Sequence, residues 1–362
     1  MTTTASKTNF NGTDDSLNIF YGDGNVSVSA GTLAAYTFSG GNESTNELIG
    51  DAYWLGGNAV AGANTFHGGA NSYNEMIGDA FILAGTALGG HNTFYGGTGS
   101  DNVVDGDAVT LTASAQGGNN RETGGASSSN FLEGDAATMD DNVVGGHNTL
   151  VGGANSYNQM DGDASQMTGA AKGVGNYLLG GAGCDNELNG GASAMSGSSV
   201  TGSNTVIGGA YSYNDLTGDA KSMTNSAKGG GNTVVGGAYS TNMLYGDAIT
   251  MQQTSSGGGN TIVAGYDSTS YMWGSAASED STVKLAGNTF DFAPGDGLAF
   301  VEDFRHGADV IDLSNYTSIT AFSQLHIYTS AGSSYVLFGA NYTDELVVKN
   351  DVNLTASDFR LA

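Results

Sequence analysis

One carboxylate recurs along the chain at a constant interval. Asp23, Asp51, Asp79, Asp107, Asp135, Asp163, Asp219 and Asp247 each follow the glycine of a Gly-Asp-Ala tripeptide or its close variant, in steps of 28 residues or a multiple of 28. Carboxylate oxygens in a column suit the ligation of a hard divalent cation such as calcium. Stacked at the spacing of parallel strands, such charges repel by roughly 1 kcal/mol in water and more near protein. Two arrangements relieve this. Either a cation bridges them, with Asp79, Asp107, Asp135 and Asp163 as candidate ligands, or the side chains splay into solvent. Catalytic constellations are scarce. The histidines His67, His91, His147, His306 and His326 form no metal-ligand spacing. Arg121 and Glu122 are the only reactive pair that breaks the pattern, as a polysaccharide-acting groove would require. Cys184 is alone and reads as a small turn residue. The chain therefore reads as a non-enzyme.

The elements that position these residues follow from composition and period. Of 362 residues 60 are glycine and one is proline, with 39% hydrophobic. Collagen needs glycine at every third position with abundant proline, and disorder needs few apolar residues. Tight turns between short strands fit instead. The net charge of −27 argues against nucleic acid and anionic membrane as partners. No run of 18 apolar residues is present, so membrane insertion is not expected. The N-terminal MTTTASKTNFNGTDD lacks the apolar core of a secretory signal peptide.

The tripeptide glycine falls at Gly22, Gly50, Gly78, Gly106, Gly134, Gly162, Gly190, Gly218, Gly246 and Gly274, without an insertion. Such constancy implies one structural coil per repeat, stacked on the last. An Asn column runs from Asn18 through Asn46, Asn74 and Asn102 to Asn242, and a second from Asn64 through Asn92 and Asn120 to Asn288. Two residues after each comes an apolar column, exemplified by Leu48, Met76 and Val104, and by Phe66, Phe94 and Leu150, with Glu122 the exception. A spacing of two puts Asn and its apolar partner on one side of a strand, both inward. Buried amides must then bond one another from coil to coil or cap the turns. Each coil reads as two strand-turn units and one longer connection, which carries a further inward column from Leu55 and Leu83 to Met251. The expected fold is all-β: a parallel β-solenoid of about ten 28-residue coils over residues 9–287. An N-terminal stub, 1–8, precedes it and a β-rich C-terminal cap, 288–362, follows.

Two turns, GGTGSDNVV and GGAGCDNEL, resemble the repeats-in-toxin (RTX) nonapeptide Gly-Gly-x-Gly-x-Asp-x-apolar-x, with one extra residue before the apolar position. The resemblance implies a β-roll that binds calcium through turn carbonyls and the Asp carboxylate. Carried over, it points to Gly96, Gly97, Gly99 and Asp101, and to Gly180, Gly181, Gly183 and Asp185. Other turns carry Tyr73, Tyr157, Tyr213, Ser129 or Thr241 where that Asp would stand. Residues 288–362 resemble the terminal region of the same family. The matching features are Phe-x-Phe at Phe290, Asp-Phe-x-x-Gly-x-Asp-x-Ile-Asp-Leu-Ser from Asp303, and the closing Leu-Thr-Ala-x-Asp-Phe. This likeness implies a cap with an uncleaved signal for the type I secretion machinery, and hence an extracellular or cell-surface location. Asp296, Asp303, Asp309 and Asp312 lie among these motifs, as calcium ligands or as turn residues.

One outward face presents Thr37, Thr65, Thr93, Thr149, Thr205, Thr233, Thr261 and Thr289, joined two residues on by Val151, Ile207, Val235 and Val263. Thr and Val suit any exposed strand, but a flat apolar-edged strip is also a docking surface. The expected function is a secreted structural protein of a cell surface, matrix or filament, stabilised by calcium and associating with itself end to end or laterally. The alternative is ice binding through the Thr-x-Val face.

Overall fold

Strands form where Asn and apolar residues alternate with outward polar ones, and they end where glycines let the chain turn. A computed structural model describes residues 8–339, 344–351 and 353–362. The chain divides into two compact units, Met1–Val174 and Gly175–Ala362, each a parallel β-solenoid.

In the first unit each full coil contributes three strands to three sheets. One sheet holds Asn9–Asn11, Thr37–Ser39, Thr65–His67, Thr93–Tyr95, Arg121–Thr123 and Thr149–Val151, each parallel to the next. The second holds five-residue strands such as Tyr73–Ile77, Asp101–Asp105 and Ser129–Glu133, and the register places Asn74 beside Asn102 and Asn102 beside Asn130. The third contains Ala52–Val60, Ala80–Leu83, Ala108–Leu111 and Ala136–Met139. This third strand occupies what the spacing suggested was only a connection. Its buried residues, Ala80 and Leu83, lie three apart, so the alternation that marks a strand is absent.

The columns point as their spacing requires. Leu48, Met76, Leu55, Leu83 and Leu111 are fully buried. Phe38, Phe66 and Phe94 stack ring on ring at 4.9 and 4.7 Å. Burying side chains of this size contributes roughly 1.5–3 kcal/mol each, the main favourable term in each coil. Gly50 is required by close approach: a Cβ there would lie 1.7 Å from the carbonyl oxygen of Gly78 in the next coil.

The second unit repeats the scheme from Tyr177–Leu179, Asp185–Asn189 and Ala192–Met195. The 28-residue offset holds to Thr261 beside Thr289 and shortens to 21 between Thr289 and Val310. Beyond that point the second sheet changes sense. Gly297–Val301 pairs parallel with Asp344–Val348, which pairs antiparallel with Ser333–Phe338, itself antiparallel to His326–Ser330. An antiparallel hairpin interrupts the parallel stack on that sheet and covers its edge. Tyr316 anchors the hairpin, its ring edge-on to Phe338 at 5.0 Å and its hydroxyl donating to Asp344 at 2.9 Å.

Candidate functional site

The first Asn column is satisfied at every polar atom. Asn74 Oδ1 accepts from Asn46 Nδ2 at 2.8 Å and from the Gly69 amide at 2.9 Å. Its Nδ2 donates to the Gly69 carbonyl and to Asn102 Oδ1, both at 2.9 Å. One side chain thus bonds the coils on both sides and closes its own turn, which makes its burial favourable. Beside it runs a serine column that sequence reasoning missed. Ser72 Oγ donates to Ala70 and Gly41 carbonyls and accepts from the Ser44 amide. The signal was the invariant residue two before each Asn, replaced only by Cys184.

These two columns occupy the turns where calcium ligands were expected. The Gly97 carbonyl accepts from Asn102 Nδ2 at 3.0 Å and from Ser128 Oγ at 3.1 Å. The Gly181 carbonyl accepts likewise from Asn186 and Ser212. Gly96 and Gly180 donate their amides across to Thr123 and Ile207 carbonyls, while Gly99 and Gly183 adopt left-handed conformations at the turn tips. Asp101 and Asp185 open their strands on the exposed face, Asp101 flanked by Tyr73 and Ser129 and Asp185 facing Tyr213. The Gly97 and Gly181 carbonyls thus each hold two protein donors, and the Asp101 and Asp185 carboxylates face solvent. Among the described residues no three His, Cys, Asp or Glu side chains gather to hold a metal ion.

The Gly-Asp-Ala aspartates do not splay outward. Asp51, Asp79, Asp107, Asp135 and Asp163 are fully buried, with Asp219 and Asp247 in the second unit; Asp23 in the first coil alone is exposed. Asp51, Asp79, Asp107, Asp135, Asp219 and Asp247 each reach back across the corner to a glycine amide of their own coil. The Gly90 amide donates to Asp79 Oδ2 and the Gly118 amide to Asp107 Oδ2, both at 2.8 Å. The second Asn column supports the row, Asn92 Nδ2 donating to Asp79 Oδ1 at 3.0 Å. Asp107 Oδ1 and Asp135 Oδ2 find no such donor. Burial first, and then the neighbouring carboxylate, raise Asp79, Asp107 and Asp135 well above the ordinary carboxylate range and Asp51 to about 8. Protonated members can donate to the carboxylates beside them, which supplies the missing donor.

Asp105, Glu133 and Asp161 form another row that sequence reasoning missed, paired coil to coil at the corner where the second sheet meets the third. Glu133 accepts from Ser165 Oγ at 2.7 Å, and burial raises both Asp105 and Glu133. The 28-residue spacing of three acidic residues was the available signal.

Other candidates separate. Arg121 is exposed while Glu122, next in the strand, is fully buried between Phe94 and Leu150 on the inward side. Both Glu122 oxygens lack a donor, and burial holds its carboxyl well above the usual range. The pair cannot converge on one substrate. His91 Nδ1 accepts from the Asn119 amide, and Asn119 Oδ1 from the His147 amide, each at 2.8 Å, so this register serves to cap backbone.

In the C-terminal region the four aspartates bind backbone and arginine. Asp296 accepts from the Ala293 amide and Asp303 from those of Gly274 and Ser275. Asp309 accepts from the Asn288 amide and pairs with Arg305, and Asp312 pairs with Arg360 at 2.6 Å. All four hold turns or chain ends. His306 bridges Asp351 at 2.6 Å and Asp358 at 2.9 Å, and the bond to Asp358 raises its pKa.

On the outer face of the second unit Thr205, Thr233 and Thr261 lie in register, as do Ile207, Val235 and Val263, all half-buried. The interruption at Tyr177 and the Asp291 below Val263 bound this uncharged strip. Fold and side-chain columns together define a parallel β-solenoid repeat protein. No protein-family model, no curated protein and no solved structure matches the chain.

Proposed function

We propose that this is an extracellular structural solenoid that associates laterally with copies of itself through the Thr-x-aliphatic strip of the second unit. The observation that carries the reading is the contrast between that strip and the charge of the chain. Two molecules of net charge −27 repel, and Thr205, Ile207, Thr233, Val235, Thr261 and Val263 offer an aligned surface without a charge. Contact there buries methyl groups at least electrostatic cost. Export by the type I route belongs to the same proposal and rests on the motifs around Asp303–Ser314 and Leu354–Phe359. The same threonine row supports a second reading, ice binding, which thermal hysteresis measurements would separate from assembly.

Sedimentation velocity over a concentration series tests the proposal. The wild-type chain is expected to shift to larger species as concentration rises, and more so at high salt, where repulsion is screened. Thr233→Glu/Val235→Glu places two carboxylates on the outward face and is expected to hold the protein as monomer with an unchanged circular dichroism spectrum. A wild-type monomer at every concentration and salt, or a variant that assembles equally well, would contradict the proposal.

A further inference from the structure

Each coil turns into the second sheet through one residue in the left-handed backbone region, forming a column at Asn71, Gly99, Ser127 and Asn155 in the first unit and Gly183, Tyr211, Tyr239 and Asp267 in the second. Glycine and asparagine tolerate this conformation; a bulky aromatic there is a steric outlier. Tyr211 and Tyr239 nonetheless hold φ of 56° and 54°. Their rings gain little burial in return: Tyr211 is 68% exposed and Tyr239 46%. Strain kept for so small a packing gain belongs with function.

The two rings stack at 5.0 Å, and Tyr266 stands edge-on to Tyr239 at 5.6 Å. Gly183 precedes Tyr211 in the column and has no side chain to cover its outer face. Tyr211 and Tyr239 wall a groove of about 740 Å³ that runs across successive coils. Its floor is the serine column, whose hydroxyls are engaged with backbone. Its free polar groups are the Thr241 and Thr269 hydroxyls, the Asp267 carboxylate and the tyrosine hydroxyls. The corresponding groove of the first unit has Gly99, Ser127 and Asn155 at the left-handed positions and Tyr157 as its one aromatic lining residue.

We propose that the Tyr211–Tyr239 groove binds a neutral, unbranched oligosaccharide lying along the direction in which the coils stack. Aromatic faces and edges suit the C–H surfaces of a pyranose, and hydroxyl and carboxylate groups suit its ring hydroxyls. Coils recur at about 4.8 Å, close to the length of one sugar in an extended chain, so successive sugars meet equivalent groups. The lining contains a carboxylate and no Lys or Arg, which selects against anionic glycans.

Isothermal titration calorimetry and saturation-transfer NMR on the full chain test this, with cellohexaose and laminarihexaose as neutral probes and a hyaluronan hexasaccharide as the anionic one. At least one neutral probe is expected to bind and the anionic probe not to. Tyr211→Asn/Tyr239→Asn installs the residue that Asn71 and Asn155 use at this position. It is expected to weaken binding at least tenfold while leaving the thermal midpoint equal or higher. The proposal is overturned if neither neutral probe binds at millimolar concentration, if hyaluronan binds more tightly, or if the variant binds equally. It is overturned too if the variant melts lower, which would assign the tyrosines to stability.

Discussion

Asn74→Asp is expected to destabilise the first unit by at least about 3 kcal/mol at neutral pH, although it changes one buried atom from nitrogen to oxygen. The native amide donates to the Gly69 carbonyl and to Asn102 Oδ1. A carboxylate has no proton for either acceptor and faces two oxygens at hydrogen-bond distance. It must either remain charged and repelled or take up a proton, and both cost stability. Asn74→Leu is expected to cost less, since it leaves the Gly69 turn and its neighbours unpaired but adds no charge. Urea unfolding of both variants at pH 7 checks the order. If Asp is tolerated as well as Leu, the amide column is not what joins the coils.

The buried aspartates give the second large effect, and its sign is fixed by the direction of their shifts. Asp51 is raised from 3.8 to about 8, Asp219 to about 7, and Asp79, Asp107 and Asp135 well above the ordinary range, in each case chiefly by burial. A folded pKa above the unfolded one contributes stability that is complete below the unfolded value, near 4, and is lost as pH rises through the folded one. Asp51 alone contributes on the order of 5 kcal/mol across that window. Stability from urea unfolding is therefore expected to fall steadily from pH 4.5 to pH 8. Growth of the overall negative charge acts in the same direction, so Asp107→Asn provides the control. That amide can still accept from the Gly118 amide and can donate to a neighbouring carboxylate, so the variant is expected to be more stable than wild type at pH 8 and to show a shallower slope. Stability that rises with pH over this range would show that the row is charged in the fold and balanced by something else.

Much of the fold was legible because a period of 28 and an alternation of two reinforce each other. Asn46 and Leu48, two apart and repeated at 28-residue steps to Asn242 and Leu244, can only share an inward face, and the amide bonds between coils follow from the need to satisfy buried polar groups. The third strand was not legible. Ala80 and Leu83 sit three apart, and Phe81 and Ile82 between them are both half-buried. The aspartate column was seen, but whether its members bridge or splay into solvent was left open, because Gly-Asp-Ala in a turn does not fix the side on which the Asp lies. Gly78 and Gly106 bring consecutive coils so close at this corner that the residue between glycine and alanine turns into the core, toward the glycine amides at Gly90 and Gly118. Glu122 was legible both as the exception in an inward column and as half of a groove pair with Arg121, and its register with Phe94 and Leu150 decides for the inside. The left-handed tyrosines carry no signal in the sequence alone, since backbone conformation at Tyr211 and Tyr239 is invisible there.

The calcium question tests the account most directly, because the turns that resemble metal sites are closed by Asn102, Ser128, Asn186 and Ser212. The decisive measurement is thermal unfolding of the full chain, followed by circular dichroism, in excess chelator and in millimolar calcium. A fold held by its own amide, hydroxyl and apolar columns predicts the same β-sheet spectrum in both and midpoints within a few degrees. A chain unstructured in chelator that folds when calcium is added would contradict it.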